Sequence, residues 1–77
     1  MSEINPSELP ELIRLIRQHL GLSQKKFASR LGVSFQTVNR WENGHTTPSQ
    51  LALKLLKQEL EEMGPLGTEL RQRYFKE

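Results

Sequence analysis

The chain has 77 residues, of which 35% are hydrophobic and 26% charged, and it contains no cysteine. This length suits one compact domain with a lean core, and the composition argues against full disorder. The lack of cysteine excludes disulfides and thiolate metal sites. The longest apolar run is three residues, 51–53, which is far too short for a membrane span. With no secretory signal pattern at the N-terminus, we expect a cytoplasmic protein.

Positive charge is concentrated in the middle of the chain. The formal net charge is only +2, but residues 17–47 carry five basic side chains and one acidic side chain. A local basic face attracts polyanions even when the total charge is small. A solvated surface explains the same asymmetry, so charge alone leaves both interpretations open.

Hydrophobic periodicity predicts a first helix after a loose leader. Residues 1–9 are polar and have no periodicity, so we expect a flexible leader there. Pro10 suits the first position of a helix, and Gly21 suits a left-handed cap after its end. The inward stripe has the helical spacing of three and four residues and consists of Leu12, Ile13, Leu15, Ile16, His19 and Leu20.

Two short helices follow, each preceded by a serine that can accept from free backbone N–H groups. Ser23 is the expected N-cap of a helix over 24–31, which Gly32 ends. Ser34 is the expected N-cap of a helix that runs to about residue 42. A steep crossing of two such helices requires a small residue at the contact, supplied by Ala28, and a turn residue that tolerates positive φ, supplied by Gly32. The apolar residues expected between them are Phe27, Leu31, Val33, Val38 and Trp41.

The rest of the chain predicts a fourth helix over 48–63, with Thr47 as its cap and Pro48 at its first position. Its expected inward face is Leu51, Leu55 and Leu60. Residues 64–77 form a C-terminal extension, either a short fifth helix or a dimer contact. We therefore expect an all-α fold, a compact bundle of four or five helices, with residues 10–63 as the domain that contains the helix pair.

The stretch from Leu20 to Gly44, LGLSQKKFASRLGVSFQTVNRWENG, resembles the phage repressor and Cro family of helix-turn-helix regulators, also called XRE-like. The resemblance covers roughly residues 12–56. It rests on the joint match of Gln24, Ala28, Gly32, Val38 and the closing Trp41, Glu42, Asn43 and Gly44. It implies a lambda-repressor-like fold in which the second helix of the pair lies in a DNA major groove. The implied function is sequence-specific binding of double-stranded DNA by a transcription regulator, of repressor type and dimeric on DNA.

The resemblance also implies which residues contact DNA. The expected base contacts are Gln36, Arg40, Asn39, Phe35 and Thr37. Gln24 and Asn43 are the phosphate contacts implied by the family, Ser34 is placed near the backbone, and Lys25, Lys26 and His45 are added because of charge and position. Gln36 suits adenine and Arg40 suits guanine.

Each assignment has a plainer alternative. Arg40 reaches either a base, a phosphate or solvent, and Asn39 is otherwise a surface amide. Lys25 and Lys26 are otherwise solvated. Phe35 stands where relatives often have glutamine, and it packs either on a thymine methyl or back on the first helix of the pair. Arg17 and Glu42 match a structural ion pair of the family, which contributes little if it is exposed.

No catalytic, metal or cofactor site is predicted. The sequence has no aspartate and no cysteine, and its two histidines lack metal-ligand spacing. The alternative function is a protein-interaction module on the same fold, antitoxin-like or coactivator-like. Its working surface would be Leu66, Leu70, Tyr74 and Phe75. The other interpretations of the same residues are that they cover the core or form a homodimer contact.

Overall fold

The computed structural model describes residues 5–75, which form a bundle of five α-helices with no β-strand in that range. The helices are α1 (Leu9–His19), α2 (Gln24–Leu31), α3 (Phe35–Glu42), α4 (Gln50–Glu62) and α5 (Pro65–Tyr74). The predicted all-α fold with a helix-turn-helix at the second and third helices is confirmed. None of these helices is both long enough and apolar enough to cross a bilayer.

A regular element occupies part of the segment that the sequence analysis treats as a loose leader. Residues Pro6–Glu8 form a single turn of 3-10 helix directly before α1. The Asn5 side chain caps this turn, because its Oδ1 accepts from the Ser7 backbone N–H at 3.0 Å. Leu9 is buried in the core and already belongs to α1. Residues 1–4 of the predicted leader lie outside the described part.

The turn between α2 and α3 depends on Gly32, whose φ of +76° is in the left-handed region. The Val33 N–H donates to the Ala28 carbonyl at 3.0 Å, and the Gly32 N–H donates to the Ser29 carbonyl at 3.2 Å. These are the two bonds of a Schellman motif, which satisfies the last carbonyls of α2 and turns the chain sharply. A side chain at position 32 would strain that conformation. With glycine there, only three residues separate the end of α2 from the start of α3.

One core joins all five helices. The fully buried side chains at its centre are Leu12, Ile13 and Ile16 of α1, Phe27 of α2, Val38 of α3, and Leu56 and Leu60 of α4. Ala28 is 2% exposed, as expected for a small residue where α2 and α3 approach each other. His19, which the sequence analysis places on the inward stripe of the first helix, is exposed.

The predicted inward face of α4 is correct at Leu60 but wrong by one residue at its other two positions. The structure buries Ala52, Leu56 and Leu60, whereas Leu51 is 68% exposed and Leu55 is half-buried. The helix also begins later than predicted, at Gln50, because the Ser49 hydroxyl accepts from the Ala52 N–H at 3.1 Å and forms the cap. Residues 51–60 contain five leucines, so more than one helical stripe is apolar. Packing against the other helices decides which stripe is buried.

Helix α5 packs against α4 and covers one side of the core. Leu70, Tyr74 and Phe75 are at most 6% exposed, while Leu66 is half-buried. Of the alternatives open for these four residues, the burial of Leu70, Tyr74 and Phe75 supports core cover. Burial raises the pKa of the Tyr74 phenol above its ordinary value, and the charge of Glu11 acts in the same direction.

Gly67 is where α5 approaches α4 most closely, and the sequence analysis does not single it out. A Cβ atom at this position would lie 1.7 Å from the Leu60 carbonyl oxygen and 2.7 Å from its carbon. Both atoms belong to the backbone of α4, so no side-chain rotation relieves the overlap. Gly67 therefore sets the distance between the two helices.

Replacing Gly67 with alanine separates α5 from α4, and we expect Gly67→Ala to lower the free energy of unfolding by about 1–3 kcal/mol. Thr68→Ala, at the exposed neighbouring position of the same helix, is the control. Urea denaturation of the two variants measures the difference. Helix propensity alone predicts the opposite sign, since alanine favours a helix over glycine by about 1 kcal/mol. A Gly67→Ala chain as stable as its parent would contradict the close approach.

Candidate nucleic-acid interface

The outer face of α3 is a polar surface that the core does not use. Gln36 and Arg40 are exposed, Thr37 and Asn39 are half-buried, and Phe35 is exposed by 43%. This exposure leaves part of Phe35 accessible to a ligand. A shallow concavity of about 330 Å³ lies along this face and is lined by Ser34, Phe35, Gln36, Thr37, Asn39 and Arg40.

Two of the five predicted base-contact residues have polar groups that are already engaged within the chain. The Thr37 hydroxyl lies 2.8 Å from the Ser34 hydroxyl, which also accepts from the Thr37 N–H and so caps α3. The Asn39 Nδ2 donates to Gln24 Oε1 at 3.1 Å, and its Oδ1 accepts from Asn43 Nδ2 at 3.1 Å.

Gln36 and Arg40 differ from that pair. Neither side chain makes a hydrogen bond or an ion pair with another residue of the 5–75 segment. Their polar ends are therefore available to a ligand without the loss of an internal contact.

Glu42, at the end of α3, is a buried charge at the centre of a network. Its side chain is 2% exposed and receives a bidentate contact from Arg17 of α1. The Arg17 Nε donates to Oε2 at 2.6 Å and the Nη2 donates to Oε1 at 3.1 Å. The Gln24 Nε2 of α2 also donates to Oε1, at 3.1 Å. One carboxylate therefore connects α1, α2 and α3.

This burial changes the energetics of the Arg17 and Glu42 pair. An exposed pair contributes about 0–1 kcal/mol, whereas removing one partner of a buried pair leaves an uncompensated charge and costs about 3–5 kcal/mol. The hydrogen bond to Glu42 raises the pKa of Arg17, against an opposing effect of desolvation. The Arg17 Nη1 also donates to the Leu22 carbonyl at 3.0 Å, which fixes the loop before α2.

Arg14 is a member of this cluster that the sequence analysis does not identify. Its Nη2 donates to the Glu42 carbonyl at 3.0 Å, so a cation lies at the C-terminal end of α3, where the helix dipole favours it. Its side chain remains 47% exposed. The available signal was its spacing of three residues from Arg17, which places both arginines on one face of α1.

The start of α2 lies beside the outer face of α3, as the contact between Gln24 and Asn39 demonstrates. Lys25 and Lys26 follow Gln24 and are exposed. Ser23 caps the helix by accepting from the Lys26 N–H at 3.1 Å. Of the other predicted phosphate contacts, Ser34, Asn43 and His45 are exposed at the two ends of α3. The predicted base and phosphate residues therefore surround α3 and the N-terminus of α2.

The basic surface contains fewer unpaired basic side chains than the number of basic residues in 17–47 indicates. Arg30 forms ion pairs with Glu59 and Glu62 of α4, at 2.8 and 3.6 Å. Its pKa is raised, chiefly by the hydrogen bond to Glu59. Arg17 is paired with Glu42, as described above. Within the described segment, the basic residues of the central region without a carboxylate partner are Lys25, Lys26 and Arg40.

Comparison with known proteins identifies this arrangement. A family model described as helix-turn-helix matches residues 13–62, which is more than half of the chain. The chain therefore belongs to the XRE-like helix-turn-helix family of DNA-binding domains, and the family resemblance stated from the sequence is confirmed.

Three curated relatives are similar to parts of the chain. A propionyl-CoA carboxylase regulator of Cereibacter sphaeroides is 45% identical over 47 residues, covering 61% of this chain and 10% of the relative. The type II methyltransferase M1.ScrFI of Lactococcus lactis subsp. cremoris is 38% identical over 53 residues, covering 65% and 14%. The vegetative-specific protein H7 of Dictyostelium discoideum is 33% identical over 60 residues, covering 78% and 57%. The chain thus spans a small part of two relatives and about half of the third. No solved structure gives a significant match.

Neutralising the buried carboxylate tests the energetic importance of the network. We expect Glu42→Gln to lower the free energy of unfolding by about 3 kcal/mol, because Arg17 is left partly buried without its counter-charge. Glu62→Gln is the matched control, since the Glu62 side chain is 70% exposed and only 3.6 Å from the half-exposed Arg30. Its unfolding midpoint in urea should coincide with that of the parent. Equal losses from the two substitutions would contradict a special role for the buried carboxylate.

Proposed function

We propose that this chain binds double-stranded DNA in a sequence-specific manner, with α3 in the major groove, and that it acts as a transcription regulator. The observation that carries the proposal is the pair of exposed side chains Gln36 and Arg40, which have no hydrogen-bond or ion-pair partner within residues 5–75. Both lie on α3, whose opposite face is held by the core and by the contacts of Glu42. An α-helix fits the major groove, and the polar end groups of these two residues match base edges there.

Each of the two residues has a defined chemical role in the proposal. The Gln36 amide forms two hydrogen bonds with adenine, at N6 and N7, and the Arg40 guanidinium forms two with guanine, at O6 and N7. Because the residues are four apart, they are neighbours on one helical face and read adjacent positions. Thr37 and Asn39 lie beside them and contact DNA through the hydrogen-bonding capacity that their internal partners leave.

Phosphate contacts hold the domain in register without reading sequence. The first N–H groups of α2 and the positive end of its dipole form an anion site at Gln24. Lys25 and Lys26 add positive charge there, and Ser34, Asn43 and His45 contact the backbone at either end of α3. The Gln24 side-chain amide donates one N–H to Glu42 and accepts from Asn39 through its oxygen. Its second N–H is therefore available to a phosphate.

Regulation of transcription is supported by the relative that is itself named a regulator. The similarity to a methyltransferase extends over only 14% of that enzyme, so its catalytic activity is not carried over. We further propose that two copies bind symmetric half-sites about one helical turn apart, because a single domain of this size offers a small footprint on DNA.

Selection from a pool of randomised duplexes, repeated with variants, tests the proposal. The parent chain should select a defined sequence with two-fold symmetry. Gln36→Ala and Arg40→Ala should each relax preference at one position of the half-site, with a loss of about 1–3 kcal/mol in specific binding. Thermal unfolding verifies that the variants remain as stable as the parent.

A phosphate-contact variant separates base recognition from general attraction. Lys25→Ala should weaken binding to all duplexes alike and leave the sequence preference unchanged. The slope of log binding constant against log salt concentration should fall in magnitude by about 1. Lys54→Ala, at an exposed lysine of α4 outside the proposed interface, should change neither. An unchanged sequence preference in both Gln36→Ala and Arg40→Ala would refute the proposal.

A further inference from the structure

Phe35 is an apolar residue in a polar surface. Within the described part of the chain, the large hydrophobic residues that are exposed are Phe35 and Leu51. A single exposed apolar residue is ordinary on a protein surface. Phe35, however, is the first residue of α3 and lines the concavity of that helix, where the surrounding residues are polar. An apolar ring therefore lies at the N-terminal end of the outer face of α3.

Two polar neighbours of Phe35 are partly engaged in hydrogen bonds within the chain. Asn39 lies one turn along the same helical face, but its amide is bonded to Gln24 and Asn43. The Thr37 hydroxyl is paired with Ser34. The free polar groups, Gln36 and Arg40, share an adjacent face. The Phe35 ring is therefore the apolar contact that this end of α3 offers to a DNA base edge.

The apolar feature of a base edge in the major groove is the 5-methyl group of thymine, whereas cytosine carries a hydrogen there. Burying a methyl group against the ring removes apolar surface from water and leaves no hydrogen-bonding group unpaired. A ring placed on the amino group of cytosine or adenine would desolvate a donor without replacing its bond. The chemistry at Phe35 therefore favours contact with the 5-methyl group of thymine.

We propose that Phe35 reads the 5-methyl group of a thymine, so that the bound sequence contains a pyrimidine with a 5-methyl group at the position facing the start of α3. This inference rests on the proposed function and specifies part of its target. A protein that recognises DNA through hydrogen bonds alone would not detect this methyl group, which takes no part in base pairing. Binding by this chain should therefore depend on the methyl group, whereas binding by such a protein would not.

Replacing thymine with deoxyuridine removes only this methyl group, which makes it the direct test. The probe is a short fluorescein-labelled duplex of the sequence selected by the parent chain, and binding is followed by fluorescence anisotropy. Each thymine of one half-site is replaced in turn. At one position the parent should lose about three- to fivefold in affinity, the amount expected for one buried methyl group. With Phe35→Ala, thymine and deoxyuridine at that position should bind equally.

Two controls make the result specific. Leu51→Ala removes the other exposed apolar residue, and it should retain the preference for thymine over deoxyuridine. With cytosine and 5-methylcytosine at the sensitive position, the parent should favour the methylated base by a similar factor and Phe35→Ala should not. Thermal unfolding of Phe35→Ala should match that of the parent.

The outcomes separate this inference from the proposed function. A parent chain that selects no sequence refutes the proposed function, and this inference falls with it. A parent that selects a sequence but tolerates deoxyuridine at every thymine overturns the role of Phe35 alone. A methyl preference that persists in Phe35→Ala also overturns it, because another residue then makes the contact.

Discussion

The buried carboxylate of Glu42 is the constraint on which the arrangement of the first three helices depends. A charge inside a protein is tolerated only with a counter-charge and hydrogen bonds, and this one obtains both from different parts of the chain. Arg17 of α1 supplies the charge, and Gln24 of α2 supplies a further hydrogen bond. Because the carboxylate ends α3, any rotation or slide of α3 against its neighbours would break these contacts. Apolar packing brings the helices together, and the ion pair fixes their register.

The same network divides the polar residues of the candidate interface into two groups. Gln24, Asn39 and Asn43 form a chain of amide contacts that begins at Glu42 and crosses the outer part of α3. These residues hold the surface in shape. Gln36 and Arg40 remain outside the network, and Phe35 presents its ring beside them. A rigid helix with few free end groups loses little conformational entropy on binding, which favours affinity and selectivity together.

Much of the fold was predictable because local signals agree with one another. For α2 and α3, serine caps and Gly32 predicted the bounds, and the structure has the helices at 24–31 and 35–42. The register of α4 was not predictable, since leucines occupy several stripes of that helix and tertiary packing selects among them. The close approach at Gly67 left only a weak local signal, a glycine in a segment where a helix was expected.

The chemistry of the site was less predictable than its position. The family resemblance predicted which residues form the candidate interface, but the internal bonds of Asn39 and Thr37 depend on rotamers that no sequence pattern reveals. The pairing of Arg30 with Glu59 joins residues 29 positions apart, so a count of charges along the chain overstated the positive face. Several polar and charged side chains that would be available in an unfolded chain are used by the folded protein for its own internal contacts.

We infer that α3 presents Gln36 and Arg40 to DNA while the Glu42 network holds the helix in place. Chemical-shift mapping by ¹H–¹⁵N NMR, with and without a selected DNA duplex, tests it most directly. We expect the largest changes at the Gln36 side-chain amide, the Arg40 Nε–H and the first backbone amides of α2, with little change at the Trp41 indole or in α5. Changes centred on α5, or a spectrum in which α3 is unaffected by DNA, would contradict it.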